Sequence, residues 1–116
     1  MLFIYYPKCS TCLKAKKWLD ERNINYTERH IAEDNPTYDE LKKWYSKSGL
    51  LLKKFFNTSG LLYKEMQLKD KLPAMSEDEQ LKLLAANGML VKRPLVVNGD
   101  TVLIGFKEAE WIEKFD

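Results

Sequence analysis

The chain has 116 residues, and 19 Lys and Arg against 17 Asp and Glu leave a formal charge of +2. That length suits one domain, with enough chain to build a core without metal or disulfide staples. The near-balanced charge excludes long-range attraction to nucleic acid or anionic membranes, and three Trp, six Tyr and five Phe exclude intrinsic disorder.

No apolar run approaches the roughly 18 residues of a spanning helix. Residues 1–7 lack the basic start and long apolar stretch of a secretion signal. The expected location is the cytoplasm, where a structural disulfide is not expected. The only two cysteines, three positions apart, are therefore conspicuous.

Residues 2–6, Leu-Phe-Ile-Tyr-Tyr, form an apolar and aromatic run closed by Pro7, which reads as a buried strand. A helix is expected over residues 10–22, since Cys12, Ala15 and Leu19 recur at helical spacing while Lys14, Lys16 and Lys17 fall mostly outside. Asn23 stops it, and residues 24–31 read as a second strand interrupted by Glu28 and Arg29. Strand, helix and strand at this spacing make a right-handed βαβ unit with parallel strands.

Residues 32–92 have a different character and read as a helical insertion. Thr37-Tyr38-Asp39-Glu40 and Ser76-Glu77-Asp78-Glu79 each fit a capping box, in which the first hydroxyl and the last carboxylate satisfy each other's main-chain N–H. They open helices running to Gly49 and towards Asn87-Gly88. Between them, residues 55–60 form a turn and 61–68 a short helix, with Met66, Met75 and Met89 as core filling. Beyond the insertion, residues 94–97 and 101–104 flank Asn98-Gly99-Asp100, a hairpin signal. Residues 107–115 carry Ala109, Ile112 and Phe115 at helical spacing. With no repeat, low-complexity stretch or linker, residues 1–116 are expected to be a single α/β domain of order β-α-β, helical insertion, β-β-α.

Cys9-Ser10-Thr11-Cys12 lies where the first strand hands over to the first helix. At a helix start, free N–H groups and the macrodipole favour an anion. Lys8, Lys14 and Lys16 enrich the neighbourhood in positive charge, so Cys9 is the expected thiolate nucleophile. Cys12 sits one turn along, within reach to resolve a mixed disulfide or sulfenate. A structural zinc needs four ligands, and one His with no second cysteine pair does not supply them, so no metal is expected. The competing reading is a pair of inert core thiols. Arg93-Pro94 precedes the hairpin. The base rate favours a trans bond there, and the arginine is either a solvated charge or a fork holding a thiolate or oxyanion. His30 reads as an ordinary strand-end residue, and Asn57-Thr58-Ser59 as a coincidental glycosylation pattern.

Three segments in order, namely Cys9-Ser10-Thr11-Cys12, Phe56-Asn57-Thr58-Ser59-Gly60 followed by Tyr63-Lys64-Glu65, and residues 90–97 (Leu-Val-Lys-Arg-Pro-Leu-Val-Val), resemble the arsenate-reductase-related (ArsC/Spx-like) family over nearly the whole chain. The resemblance implies a thioredoxin-like fold with the helical insertion between its halves, and a cis Pro94 facing the cysteines. It implies a thiol–disulfide oxidoreductase with Cys9, Cys12 and Arg93 as its catalytic set. Lys8, Ser10, Thr11, Asn57 and Pro94 bind or shape the substrate, and no cofactor is bound. Electrons come from glutathione or a glutaredoxin- or thioredoxin-like protein. Glutathione-linked arsenate reductases grip the oxyanion with three arginines. Arg93 matches one, while Asn57 and Phe106 stand near the other two positions, so inefficient arsenate reduction is expected. The Spx-like branch implies instead a redox-sensing regulator that binds the C-terminal domain of the RNA polymerase α-subunit. The 57–60 segment lacks that branch's usual arginine, and the chain stops at Asp116 without a basic tail. A monomer with no direct contact to nucleic acid or membrane is expected on either branch.

Overall fold

The computed structural model describes residues 1–115. Four short strands, β1 (Leu2–Tyr5), β2 (Thr27–His30), β3 (Leu95–Asn98) and β4 (Thr101–Ile104), form one sheet in the order β2-β1-β3-β4. β1 and β2 are parallel, joined through helix α1 (Ser10–Glu21), as the βαβ pattern requires. β3 runs antiparallel to both β1 and β4. The hairpin turns at Gly99-Asp100, with Asn98 still paired to Thr101 and Gly99 at φ 62°, a left-handed conformation open to glycine.

Side chains alternate across each strand, and the sheet accordingly buries two different cores. Phe3, Val96 and Leu103 point to one face, where Ala15, Trp18 and Leu19 of α1 meet Trp111 of α6 (Glu108–Phe115). Ile4, Leu95 and Val102 point to the other face, which the insertion covers. The insertion comprises α2 (Tyr38–Ser48), α3 (Leu61–Glu65), α4 (Leu68–Lys71) and α5 (Glu77–Ala86). Both capping boxes form at Thr37/Glu40 and Ser76/Glu79. Gly88 passes so close to β2's end that a Cβ there would stand 1.9 Å from the Ile31 carbonyl oxygen.

Two expectations change. The second strand covers only Thr27–His30. Ile24 donates its N–H to Leu19 O at the helix end, 3.1 Å, and so belongs to the α1 terminus, where Asn23 adopts φ 56°. The helix expected over 61–68 is two pieces, α3 and α4, because Gln67 takes a left-handed conformation at φ 54° and breaks the ladder. Among the described residues no helix is long and apolar enough to cross a membrane.

Candidate functional site

The site begins in the strand register. Antiparallel pairing of Leu2 with Val97 and of Ile4 with Leu95 brings the end of β1 beside the start of β3, so that Tyr6, just past β1, meets Arg93, just before β3. Beyond Tyr6 the chain makes a tight turn through Pro7 and Lys8, closed by the Cys9 N–H donating to Tyr6 O at 2.9 Å. Cys9 is then the N-cap of α1, with extended backbone, and its carbonyl accepts the first helical bond from Leu13 N–H at 3.1 Å. Cys9 is half-buried and Cys12 fully buried on the inward side of α1, and both are free thiols.

These positions drive the two sulfurs apart in acidity. For Cys9, partial burial opposes ionisation but is outweighed. The Cys12 N–H, the Cys12 thiol, the Thr11 N–H and the Arg93 charge together hold its pKa below the ordinary thiol value. None of these amides makes a conventional capping bond to the sulfur. They act as oriented dipoles facing it, as the unsatisfied N–H groups of a helix start do. For Cys12, burial dominates. Tyr6 supplies one main-chain hydrogen bond that favours the anion, but the neighbouring Cys9 opposes it, and the thiol is pushed up to about 12. One thiol is thus prepared to ionise and the other to stay protonated.

Arg93 supplies the leading side-chain charge at Cys9. Its guanidinium lies 5.2 Å from the centroid of the Tyr6 ring, and Nη1 donates to Met89 O at 3.3 Å. Its Nε is buried without a hydrogen-bond partner. A buried unpaired guanidinium donor calls for an acceptor, and an anionic sulfur or substrate oxygen suits it. The Arg93-Pro94 bond is cis, as the resemblance implies and against the base rate for such bonds. Pro94 is buried, and its carbonyl accepts from Gly105 N–H at 2.8 Å, tying the start of β3 to the end of β4.

Other candidates fall in different places. Ser10 and Thr11 form the exposed first turn of α1, and Lys8 is exposed in the preceding turn. Lys16 is engaged elsewhere: its ammonium pairs with Glu28 and donates to Tyr26 Oη at 3.2 Å. Asn57 lies opposite Leu90, three residues before Arg93, through the pairing of residues 55–57 with 90–92. Its amide folds over its own turn, where a Cβ on Gly60 would lie 2.6 Å from Nδ2. None of its hydrogen bonds reaches Cys9 or Arg93. Phe106 packs against the aromatic core, 4.8 Å from Trp111 and 6.3 Å from Trp18 between ring centroids. His30 ends β2, its Nδ1 accepting from the N–H groups of Ala32 and Glu33 at 3.1 Å each, with its ring edge-on to Tyr6. No cluster of metal-ligating side chains occurs among the described residues.

Tyr6 is the residue that sequence reasoning missed. It supports the guanidinium with its ring and Cys12 with its backbone. No local sequence signal marks it, because the hairpin pattern relates β3 to β4 and leaves the register of β3 on β1 open.

A β-α-β half and a β-β-α half sharing this sheet, with a cysteine pair at the first helix start and a cis proline opening β3, define a protein of the thioredoxin-like fold. The chain belongs to the ArsC family, whose sequence model matches residues 4–115. It is 58% identical over 115 residues to YusI of Bacillus subtilis (strain 168), covering 99% of this chain and 98% of that one. The global transcriptional regulator Spx 2 of Bacillus anthracis is 30% identical over 107 residues, 92% of this chain and 79% of the regulator. Among solved structures, an ArsC family related protein from Bacteroides fragilis superposes with a TM-score of 0.94 at 63% identity, covering 97% and 94% of the two chains. An arsenate reductase from Vibrio cholerae does so with a TM-score of 0.83 at 28% identity, covering 97% of each. Relatives thus carry both enzyme and regulator names.

Proposed function

We propose that the chain is a thiol–disulfide oxidoreductase in which Cys9 attacks and Cys12 resolves. The observation that carries this reading is the contrast within the pair: a half-buried sulfur at a helix start with lowered pKa, beside a fully buried one held protonated. In the first step the Cys9 thiolate attacks one sulfur of a substrate disulfide, forming a mixed disulfide and expelling the other sulfur as thiolate. Cys12 then gives up its proton and attacks Cys9 Sγ. The Cys9–Cys12 disulfide forms, and the second substrate sulfur leaves as thiolate. The substrate gains two electrons and the protein loses two, which glutathione or a glutaredoxin-like dithiol returns. Arg93 stabilises the Cys9 anion, and Pro94 shapes the backbone beside it.

Arsenate is a poor fit to this site. Of the three positions at which an arginine clamp is expected, Arg93 alone is cationic, while Asn57 turns to its own loop and Phe106 packs against Trp111. A doubly charged oxyanion keeps one charge-assisted partner there. A regulator that uses the same cysteines as a switch, and that binds the α-subunit of RNA polymerase, is the second reading. The 30% identity to Spx 2 favours it.

Turnover separates the two. With a small disulfide and excess reductant the enzyme reading predicts catalysis that Cys9→Ser abolishes, while Cys12→Ser accumulates a mixed disulfide on Cys9. Absence of turnover, with oxidation-dependent retention of the C-terminal domain of the polymerase α-subunit, would favour the regulator.

A further inference from the structure

β4 is the outer strand of the sheet, bonded to β3 on one side and to no strand on the other among the described residues. Val102 packs towards the insertion and Leu103 towards Trp111, on opposite faces. Yet Val102, Leu103 and Ile104 all line a single cleft of about 560 Å³. Because successive side chains point to opposite faces, consecutive strand residues share a cleft where it runs along the strand's edge. The cleft is therefore a groove beside the open edge of β4. The turn at Leu52–Phe55 walls one side and α6 the other.

The walls are strongly basic. Lys53, Lys54, Lys92, Lys107 and Lys114 line the groove, against the two carboxylates Glu110 and Glu113. Among the described residues none of these five ammonium groups belongs to an ion pair, whereas Lys16, Lys17, Lys47 and Lys82 each do. In a chain of net charge +2 this is a local concentration, and it lies over an apolar floor that includes Phe56 and the exposed Leu50.

We propose that this groove docks an extended acidic segment of a protein partner, which adds to β4 as a fifth strand. The free edge offers main-chain donors and acceptors in register. The lysines on both walls pair with Asp or Glu side chains, and the floor takes the alternate apolar ones. Lysines beside an edge strand also discourage self-pairing, but that role alone creates no preference for acidic peptides. Lys92 joins Phe55 O through its N–H at 2.7 Å and immediately precedes Arg93, so the groove shares a backbone segment with the cysteine site. The proposal nevertheless stands apart from the redox reading.

The probe is an end-blocked heptapeptide of alternating Glu and Val, titrated into isotope-labelled protein while backbone amide signals are followed. The expected result is a shift at Val102, Leu103 and Ile104, with affinity that falls as salt rises. A Lys53→Glu, Lys114→Glu double variant should weaken binding at least tenfold while signals elsewhere stay in place, and Lys53→Gln should show a smaller loss. N-methylating the peptide amides that face β4 should abolish binding if the segment adds as a strand. No shift at millimolar peptide, equal binding of an alternating Lys and Val peptide, indifference to N-methylation, or tighter binding of an oligonucleotide in the groove would each overturn the proposal.

Discussion

Cys9 and Cys12 are identical side chains one helical turn apart, and their surroundings alone give them different chemistry. Cys9 faces the amide dipoles of the α1 start and the Arg93 charge, and Cys12 is sunk in the core behind it. Arg93 is held by the Tyr6 face and the Met89 carbonyl while its Nε lacks a partner. Replacing it with methionine removes a charge and an unsatisfied donor together, so folding should survive. Arg93→Met is expected to raise the Cys9 pKa and to slow alkylation near neutral pH by up to about tenfold. Tyr6→Phe should leave that rate unchanged, whereas Tyr6→Leu should shift it in the Arg93→Met direction. The same alkylation profile checks all three, and an unchanged rate in Arg93→Met would remove the arginine from the site.

At the scale of elements, Glu40 joins two devices. It is the last residue of the α2 capping box, with Oε1 accepting from Thr37 N–H at 3.0 Å, and it receives Arg29 Nη1 at 2.7 Å and Nη2 at 2.8 Å. It therefore couples the start of the insertion to β2. Arg29, followed by the Thr37 cap, holds its carboxyl down to about 2, below the ordinary carboxylate range. A carboxyl depressed in the folded state contributes stability that is present above its unfolded pKa and lost as pH falls through the folded one. Glu40→Gln should accordingly lower the unfolding midpoint near pH 6, and the gap to the parent should close between pH about 4.5 and 2. A gap independent of pH in chemical denaturation would show that the amide lost packing rather than charge.

At the scale of the whole molecule, the parts governed by local chemistry were legible in the sequence. Both capping boxes, the Asn98-Gly99-Asp100 turn, the Asn23 helix stop and the βαβ order follow from short-range rules, and the structure shows each. What depends on long-range packing was not legible. The positive φ of Gln67 has no sequence signature, and β2 is short because the α1 terminus takes Ile24. The site was half readable. Position at a helix start marks Cys9, but Lys16 directs its charge to Glu28 and Tyr26, so nearness in sequence overstates its field at the sulfur. Tyr6 emerges only once the register is known. Spatial pairing, not composition, puts the cation beside the sulfur.

The division of labour between the two sulfurs can be read directly by alkylating the reduced protein across a pH series and mapping the modified cysteine at each point. Cys9 is predicted to react with a midpoint below the roughly 8.5 of a free thiol, while Cys12 stays unmodified until the protein is unfolded. Equal labelling of both cysteines, or a Cys9 midpoint at or above the free-thiol value, would contradict the account.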